Sequence, residues 1–346
     1  MFRTLFSLIL FILVSFVVMG QDADKKVKIL PVPTIGYSPE TKTYVGAVTL
    51  FTIDLYKDSV TRTSNAKLEF TYTWNKQIIL ETGWNYFFKD EKWFTKGRIH
   101  YSSYPDYYYG IGAETPESNE LLYNSRRFVF EANILKRMGK FFLGPEIKYL
   151  NYSNINFTGL PLYPELSDHS TFGVGLTLLR DTRNNLLNPQ KGVYFNFNAG
   201  YKLSEHNYAE ATIDARYYKT WGDKYTWANR LINELNFGTP PFYDYAFAGG
   251  DQFIRGYNYG RYRDKNLTSF QTEFRFPVIG RFGAATFGGL SRLYNENNIN
   301  LNEIMGNYGL GLRFLVDKHD NTNLRLDYAI GNAGNSGFYI SFGESF

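Results

Sequence analysis

Apolar and polar residues alternate one by one along most of the chain after about residue 29. The segment 67–74 (KLEFTYTW) alternates at every step, and segments 193–198, 209–217 and 324–328 follow the same pattern. Successive side chains of a β-strand point to opposite faces, so this period of two predicts strands with one apolar and one polar face. In a soluble sandwich the apolar face would cover a core, whereas in a membrane-spanning barrel it contacts lipid and the polar face lines the lumen.

The alternating segments predict about sixteen strands, and bacterial single-chain barrels have an even number of strands. The predicted strands lie near residues 29–37, 43–55, 65–75, 77–88, 93–103, 121–135, 141–152, 171–180, 193–202, 208–221, 225–237, 266–276, 282–293, 306–315, 323–330 and 337–346. The expected fold class is therefore all-β, a transmembrane antiparallel β-barrel.

The connections between these strands separate by length. If the first strand starts in the periplasm, the connections after even-numbered strands are periplasmic, and most are tight, as at 89–91, 138–140 and 222–224. The longest loops follow odd-numbered strands, around residues 104–120, 153–170, 238–265 and 294–305. Short turns on one side and long loops on the other are typical of outer-membrane barrels, with the loop at 56–64 as an exception. A soluble sandwich has no reason to separate loop lengths in this way.

Composition supports the same fold class. The chain has 30 Phe and 29 Tyr among 346 residues, and flat rings pack well on a half-buried pleated surface. Mean hydropathy is −0.34, which excludes a protein built from membrane-spanning helices but not a barrel, where only alternate residues face lipid. The net charge of +4 comes from interspersed basic and acidic residues, so we expect no nucleic-acid partner.

The first twenty residues have the pattern of a signal peptide. Arg3 precedes an almost wholly apolar run from Leu5 to Met19, and Gly20 ends this run before a polar segment. The run is shorter than the ~20 residues that a membrane-spanning helix needs, which makes a retained anchor helix the weaker alternative. The expected organisation is a signal peptide (residues 1–20), a short periplasmic segment (21–28) and a barrel (29–346).

The end of the chain reads as a further strand. Phe338, Ile340 and Phe342 alternate with smaller or polar residues, and the chain stops at Phe346. A final strand that ends in an aromatic residue resembles the targeting signal that outer-membrane barrels present to their insertion machinery. Glu344 stands where that pattern usually has an apolar residue.

A turn motif lies between the eighth and ninth predicted strands. Residues 181–192 read DTRNNLLNPQKG, with polar and turn-forming positions at Asp181, Arg183, Asn188, Pro189 and Gly192. Asp181 and Asn188 can accept hydrogen bonds from turn amides, Pro189 presets its own φ, and Gly192 permits an unusual backbone conformation before the strand. An ordinary turn explains the Asn, Pro and Gly, but not the spacing of all five types of residue.

Two further segments follow in a fixed order. Residues 249–257 read GGDQFIRGY, inside a predicted extracellular loop over about 239–265, and residues 271–277 read QTEFRFP in the next strand. Together with the turn at 181–192, these segments resemble the periplasmic turn, the sixth-loop motif and the following strand of the BamA superfamily of outer-membrane assembly and translocation barrels. The resemblance covers about residues 180–346 and is weak before residue 170.

The resemblance implies that the loop folds back into the barrel and that its arginine pairs with acidic side chains of the inner wall. The loop motif ends in Arg255, Gly256 and Tyr257. In the strand 270–276 the aromatic residues at 270, 274 and 276 share one face, so the residues at 271, 273 and 275 (Gln, Glu and Arg) point into the lumen. Asp327 is likewise lumenal, because its neighbours at 326 and 328 are apolar. A buried arginine needs a carboxylate partner, so we expect Arg255 to pair with Glu273, and Asp327 is the second candidate.

The sequence departs from the family pattern in two respects. Family members often have an Asp in the strand where this chain has Gly289, which removes one candidate partner of the loop arginine. Relatives that insert or secrete proteins also carry periplasmic repeat domains before the barrel, and only about a dozen residues separate Gly20 from the first predicted strand. The chain therefore resembles a barrel-only branch, with client delivery expected from a separate periplasmic protein.

Prolines mark the first strand. Pro31 and Pro33 lack N–H groups at positions that share one strand edge, so they can weaken the ladder between the first and last strands. Gly334, Gly337 and Gly343 could loosen the last strand. The alternative is that the prolines simply precede the first strand.

The function expected from the resemblance is assembly or translocation of outer-membrane protein or lipid. The alternative is a passive porin or a ligand-binding receptor barrel. Enzyme chemistry is not expected, because the four histidines are scattered and no G-x-S-x-G motif is present, and no cofactor or metal is expected either. Expected partners are outer-membrane lipid, the insertion machinery that assembles the barrel itself and a periplasmic delivery protein or a second copy of the chain.

Overall fold

The computed structural model describes most of the chain after the N-terminal segment. The described residues are 27–38, 42–56, 58, 60–157, 167–222, 224–295, 303–317 and 321–346. The expected signal peptide (residues 1–20) and most of the segment 21–28 lie outside this range. In the described part, no helix is long and apolar enough to cross a membrane.

Sixteen of the strands formed by the described residues make one closed antiparallel barrel, which confirms the predicted fold class. Each strand pairs with its neighbours in sequence, except that β11 pairs with β14, and β1 pairs with β18 to close the cylinder. The barrel strands are β1 (Val27–Ser38), β2 (Lys42–Ile53), β3 (Ser64–Thr73), β4 (Ile78–Phe87), β5 (Trp93–Tyr108), β6 (Leu121–Met138), β7 (Phe141–Phe157), β8 (His169–Asp181), β9 (Gly192–Leu203), β10 (Tyr208–Trp221), β11 (Tyr225–Gly238), β14 (Asn266–Ile279), β15 (Phe282–Tyr294), β16 (Ile304–Asp317), β17 (Thr322–Gly331) and β18 (Ser336–Phe342).

The connection between β11 and β14 contains regular elements of its own. The short strands β12 (Ala246–Ala248) and β13 (Tyr262–Asp264) pair with each other, and a single α-helical turn, α1 (Gly250–Phe253), lies between them. Turns of 3-10 helix are found at Lys89–Glu91, Glu117–Asn119, Phe242–Asp244 and Asn332–Gly334.

The apolar face of each strand points outward. On β16, Leu310 is 71% exposed and Tyr308 and Leu312 are exposed beside it, whereas Arg313 on the opposite face is only 4% exposed. The same arrangement holds on β14, where Phe270 and other outward rings alternate with buried polar residues. The alternation in the sequence therefore separates an apolar exterior from a polar lumen, as expected for strands in lipid.

The two ends of the barrel differ. β1 begins and β18 ends at what we call the short-turn end, which also carries the turns 88–92, 139–140 and 182–191. The opposite, long-loop end carries the connections 109–120 and 239–265. The longest connections thus lie at one end, as the spacing of the strands predicts.

The seam, which we define as the contact between β1 and β18, is short. β1 pairs with β2 along its whole length, but its register with β18 is given by the pair Tyr37↔Ile340. An antiparallel continuation of that register sets Phe342, the last residue of β18, opposite Ile35. The first part of β1 therefore extends past the end of β18.

The two prolines lie inside β1 and not before it. Pro31 pairs with Thr49 and Pro33 pairs with Ala47 of β2, so the alternative that they precede the first strand is wrong. Both stand in the part of β1 that extends past β18, so their missing N–H groups remove no hydrogen bond from the seam. Proline on an unpaired strand edge blocks pairing with another chain.

The last strand is shorter than the predicted strand to residue 346. β18 ends at Phe342, because Gly343 has a φ of +80°, a left-handed conformation that takes the chain out of the ladder. The final residues turn into the lumen, where Phe346 packs against Tyr218 and Ala228.

Candidate functional site

The connection 239–265, called here the inward loop, folds into the barrel and crosses the lumen. Near its start, Phe242 and Tyr243 pack in a buried cluster with Tyr152 of the β7 wall. Further along, Ile254 is buried in a second cluster that includes Leu293 of β15. Apolar contacts on two walls therefore hold the loop inside, where its backbone and charged groups need partners.

Arg255 bridges two carboxylates of the inner wall. Its Nη2 lies 2.7 Å from Glu273 Oε2 on β14, and its Nη1 lies 2.5 Å from Asp327 Oδ2 on β17. The side chain of Arg255 is 1% exposed, and both carboxylates are fully buried. The guanidinium carbon also lies 3.4 Å from the centre of the Phe287 ring, and Asn307 Nδ2 donates to the Arg255 carbonyl over 2.6 Å.

The two residues that follow Arg255 fix the loop backbone to the last strands. The amide of Gly256 donates to the Tyr339 hydroxyl on β18 over 2.9 Å, and its φ of +99° favours glycine. The Tyr257 hydroxyl donates to the Gly306 carbonyl over 2.8 Å and accepts from the Asn332 amide over 2.7 Å. The motif thus reaches β16, β18 and the turn after β17.

The pair of carboxylates around Arg255 belongs to a larger cluster. We call this cluster the arginine network; in the described part of the chain it joins four arginines to four carboxylates, namely Arg255, Arg275, Arg313, Arg325, Asp251, Glu273, Asp327 and Glu344. Arg313 Nη1 lies 2.6 Å from Asp327, and Arg275 Nε lies 2.6 Å from Glu273. Arg325 pairs with both Asp327 and Asp251.

Equal numbers of positive and negative groups make the arginine network tolerable inside the barrel. An isolated buried ion loses several kcal/mol of hydration, which only close opposite charges and hydrogen bonds can offset. Removal of one partner leaves an uncompensated charge, so the members of the arginine network depend on one another.

Part of this cluster follows from the sequence alone. Alternation places Glu273, Asp327 and Arg275 on the lumenal face, but no pattern identifies the other partners, Asp251, Arg313, Arg325 and Glu344. Arg313 could be predicted as a candidate from its position on the inward face of an alternating strand. No local pattern marks Asp251 or Glu344, because their partners lie on distant strands.

Gly289 lies close to the arginine network without contributing to it. Its register partners are Gln271 and Asn307. A Cβ atom there would stand 2.9 Å from the Phe270 carbonyl oxygen, so a larger residue requires a shift of the strand. Arg255 nevertheless has two carboxylate partners.

The turn 181–192 closes part of the short-turn end. Asp181 accepts from the Arg183 side chain over 2.7 Å and from its backbone amide over 3.1 Å. Two side chains accept from amides of the turn: Asn185 accepts from residues 187 and 188, and Asn184 accepts from residues 190 and 191. The Asn188 side chain donates through Nδ2 to the Asn321 carbonyl over 3.1 Å.

Pro189 and Gly192 have separate roles in this turn. The Pro189 carbonyl accepts from Arg275 Nη1 over 3.0 Å, which ties the turn to the arginine network. Gly192 has a φ of +114°, and a Cβ atom there would stand 2.2 Å from the Thr182 carbonyl oxygen. Only glycine fits this position.

The residues of the expected targeting signal divide between two environments. Phe338 and Phe342 are exposed on the outer face of β18, and Ile340 is half-buried beside β1. Phe346 lies in the lumen with Tyr218. The strand residues therefore keep the alternating pattern, and the terminal aromatic residue does not continue it.

The lumen retains free space beside the loop. A cavity of about 930 Å³ lies between Phe253 of the loop and Leu186 of the turn 181–192. Its wall carries charged side chains of both signs, including Lys67, Arg98, Lys148, Glu210 and Asp214.

The sequence and the fold together identify the family. Residues 50–346 match the Omp85 superfamily domain, and the chain belongs to this superfamily. The resemblance to BamA-type barrels is thereby confirmed. No curated protein matches the chain in sequence.

Solved structures share the fold at low sequence identity. BamA from Haemophilus ducreyi lacking POTRA domains 1–3 matches with a TM-score of 0.58 and 13% identity, over 92% of this chain and 70% of that one. CdiB from Acinetobacter baumannii matches with a TM-score of 0.58 and 13% identity, over 91% of this chain and 60% of that one. This chain thus spans well under the full length of both.

Proposed function

We propose that this chain is an integral outer-membrane barrel that takes part in assembly or translocation of outer-membrane protein or lipid, with the inward loop locked to the wall by Arg255. The observation that carries the proposal is the buried bridge from Arg255 to Glu273 and Asp327. A guanidinium can hold two carboxylates at once through its fixed fork of donors. We call this bridge the loop lock.

Family membership and geometry support the proposed role. In the proposed orientation the short-turn end faces the periplasm and the long-loop end faces the cell exterior, because outer-membrane barrels have short periplasmic turns and longer extracellular loops. The pattern of a signal peptide at residues 1–20 supports export of the chain. The proposed partners are outer-membrane lipid around the barrel and the insertion machinery that assembles it. A separate periplasmic protein delivers the client, or a second copy of the chain completes the assembly.

A deletion strain tests this role. An inventory of outer-membrane proteins and lipids should show loss of barrel proteins or altered lipid asymmetry, restored by the wild-type gene and not by Arg255→Ala. Arg98→Ala is the matched control, because Arg98 pairs with Glu131 on another part of the wall. A nutrient-uptake defect with an unchanged inventory would contradict the proposal.

The charged cavity favours a second candidate, a passive porin or receptor barrel. A space of about 930 Å³ lined by charges of both signs could pass small solutes. Single-channel recording in planar bilayers separates the two functions: a porin gives large, steady, ion-selective currents. A locked barrel gives small currents that increase in Arg255→Ala.

A further inference from the structure

The last four residues, Gly343–Phe346, form a buried segment that we call the C-terminal tail. Chain termini are usually exposed and poorly ordered unless other groups hold them. Here the Glu344 side chain is fully buried, and Phe346 packs against Tyr218 and Ala228 of the inner wall. The Gly343 amide donates to the Asn323 carbonyl over 2.8 Å at the point where the tail leaves β18.

Glu344 completes the arginine network. Its carboxylate lies 2.8 Å from Arg313 Nε and 3.5 Å from Arg275 Nε, and it accepts from Asn323 Nδ2 over 2.8 Å. Without Glu344, Arg313 would lose one of its three carboxylate partners and Arg275 one of its two. Loss of a partner is costly for a buried charge, so the positions of Arg313 and Arg275 depend on this carboxylate.

The tail also connects the short-turn end to the inward loop. The Glu344 amide donates to the Leu187 carbonyl of the turn 181–192 over 2.7 Å. The Ser345 hydroxyl donates to the carbonyl of Asp251, in α1 of the loop, over 2.7 Å. Arg275 also joins the tail to the turn, since its Nη2 donates to the Phe346 main-chain oxygen over 3.0 Å and its Nη1 donates to the Pro189 carbonyl.

We infer that the C-terminal tail is an internal strap that fastens the inward loop from the short-turn end, with Glu344 as the positioning residue. Glu344 holds Arg313 and Arg275, and these arginines hold Asp327 and Glu273, the two partners of Arg255. The strap rests on the proposed loop lock. It adds a second attachment of the inward loop, which runs through the C-terminal tail to the turn 181–192. The charge of Glu344, which does not fit an outward-facing terminal strand, fits this inward role.

Two cysteine reporters test the strap in a chain that has no cysteine. Ser345→Cys, the tail reporter, reports on the C-terminal tail; because it replaces the hydroxyl that donates to Asp251, its parent in every comparison is Ser345→Cys alone. Ala248→Cys, the loop reporter, reports on the inward loop, because Ala248 is fully buried in β12. Each reporter is purified as the folded full chain in lipid nanodiscs and labelled with a charged maleimide.

Glu344→Gln removes the charge and keeps the shape. We expect labelling of both reporters to accelerate by at least about tenfold, since loss of one partner of a buried ion pair costs more than the 1.4 kcal/mol that corresponds to a factor of ten. Glu344→Asp keeps the charge and should restore slow labelling at least in part. Glu131→Gln removes a lumenal carboxylate whose partners, Arg98 and Lys148, lie outside the arginine network, so both rates should stay close to those of the parent.

The strap is overturned if Glu344→Gln does not increase the labelling rate of the loop reporter above that of the parent, even if the tail reporter labels faster. Equal acceleration by Glu344→Asp and Glu344→Gln also overturns it, because the effect would then not depend on charge. If Glu344→Gln does not fold, Asn323→Ala removes a hydrogen-bond donor to Glu344 and should give a smaller acceleration at both reporters. Arg255→Ala with the loop reporter tests the loop lock separately. If the loop reporter labels faster in Arg255→Ala but not in Glu344→Gln, the loop lock is supported and the strap is rejected.

Discussion

The Gly256 amide donates a hydrogen bond to the Tyr339 hydroxyl over 2.9 Å and so joins the inward loop directly to the last strand. Tyr339 lies next to Ile340, the residue through which β18 pairs with Tyr37 of β1. The loop and the seam therefore share one strand. A movement of the inward loop is therefore transmitted to β1 through β18.

Tyr339→Phe should destabilise the loop without altering the outer surface. The substitution leaves the buried Gly256 amide without its hydroxyl partner, at a cost of roughly 1–3 kcal/mol. The expected result is a lower temperature for the heat-induced loss of the compact barrel on a gel. Tyr308→Phe is the control, because Tyr308 lies exposed on the outer face of β16, and an equal shift in both variants would contradict the assignment.

Arg255→Ala should cost about 3–5 kcal/mol, because Glu273 and Asp327 stay buried and each loses one of its guanidinium partners. Arg255→Lys should recover little of this loss, since an ammonium is a point charge and cannot hold two carboxylates in the fork geometry. Proteinase K digestion of the folded barrel should cut the loop faster in both variants than in Arg98→Ala. Unchanged heat stability and protease resistance in Arg255→Ala would mean that the lock does not exist.

Gly192→Ala should prevent normal folding of the turn 181–192. The new Cβ atom would stand 2.2 Å from the Thr182 carbonyl oxygen, at a φ of +114°. Gly139→Ala is a matched change in another turn, where φ is +62° and no atom lies within 4 Å of the new Cβ; it should cost only about 1–2 kcal/mol. The yield of folded barrel in isolated membranes measures both, and equal yields would contradict the steric argument.

A disulfide across the seam should test whether the seam opens. Tyr37→Cys with Ile340→Cys joins β1 to β18, and Leu326→Cys with Ile340→Cys joins β17 to β18 at a matched position. If function requires the seam to part, the oxidised first pair loses function until a reductant is added and the second pair does not. Full function of the oxidised first pair excludes opening at this point.

The barrel could be predicted from sequence because each strand shows its own alternation of apolar and polar residues. Lipid outside and water inside force a period of two on each strand, so segments such as 67–74 and 324–328 give both the strand and the direction of its side chains. Glu273 and Arg275 were placed on the lumenal face by this rule alone. The strand number follows in the same way.

The remainder of the site depends on contacts between distant strands, which carry no local pattern. Arg313 meets Asp327 only because strand pairing sets β16 beside β17 in this register, and Arg325 reaches Asp251 of the inward loop only because the loop folds into the lumen. The tail is too short to show periodicity, and the left-handed turn at Gly343 redirects it. Glu344 departs from the pattern of an outward-facing terminal strand, but its partners follow only from the closed barrel.

The two strands of the seam, β1 and β18, are held to the rest of the barrel to different extents. β18 is anchored from within at Tyr339, and its continuation into the tail is held by ion pairs. β1 lies on β2 along its length and extends past its other neighbour, with Pro31 and Pro33 along the uncovered rim. If the seam opens, β1 and β2 should therefore move outward into the bilayer while β18 and the C-terminal tail stay in place. The opening would then come from the movement of one side only.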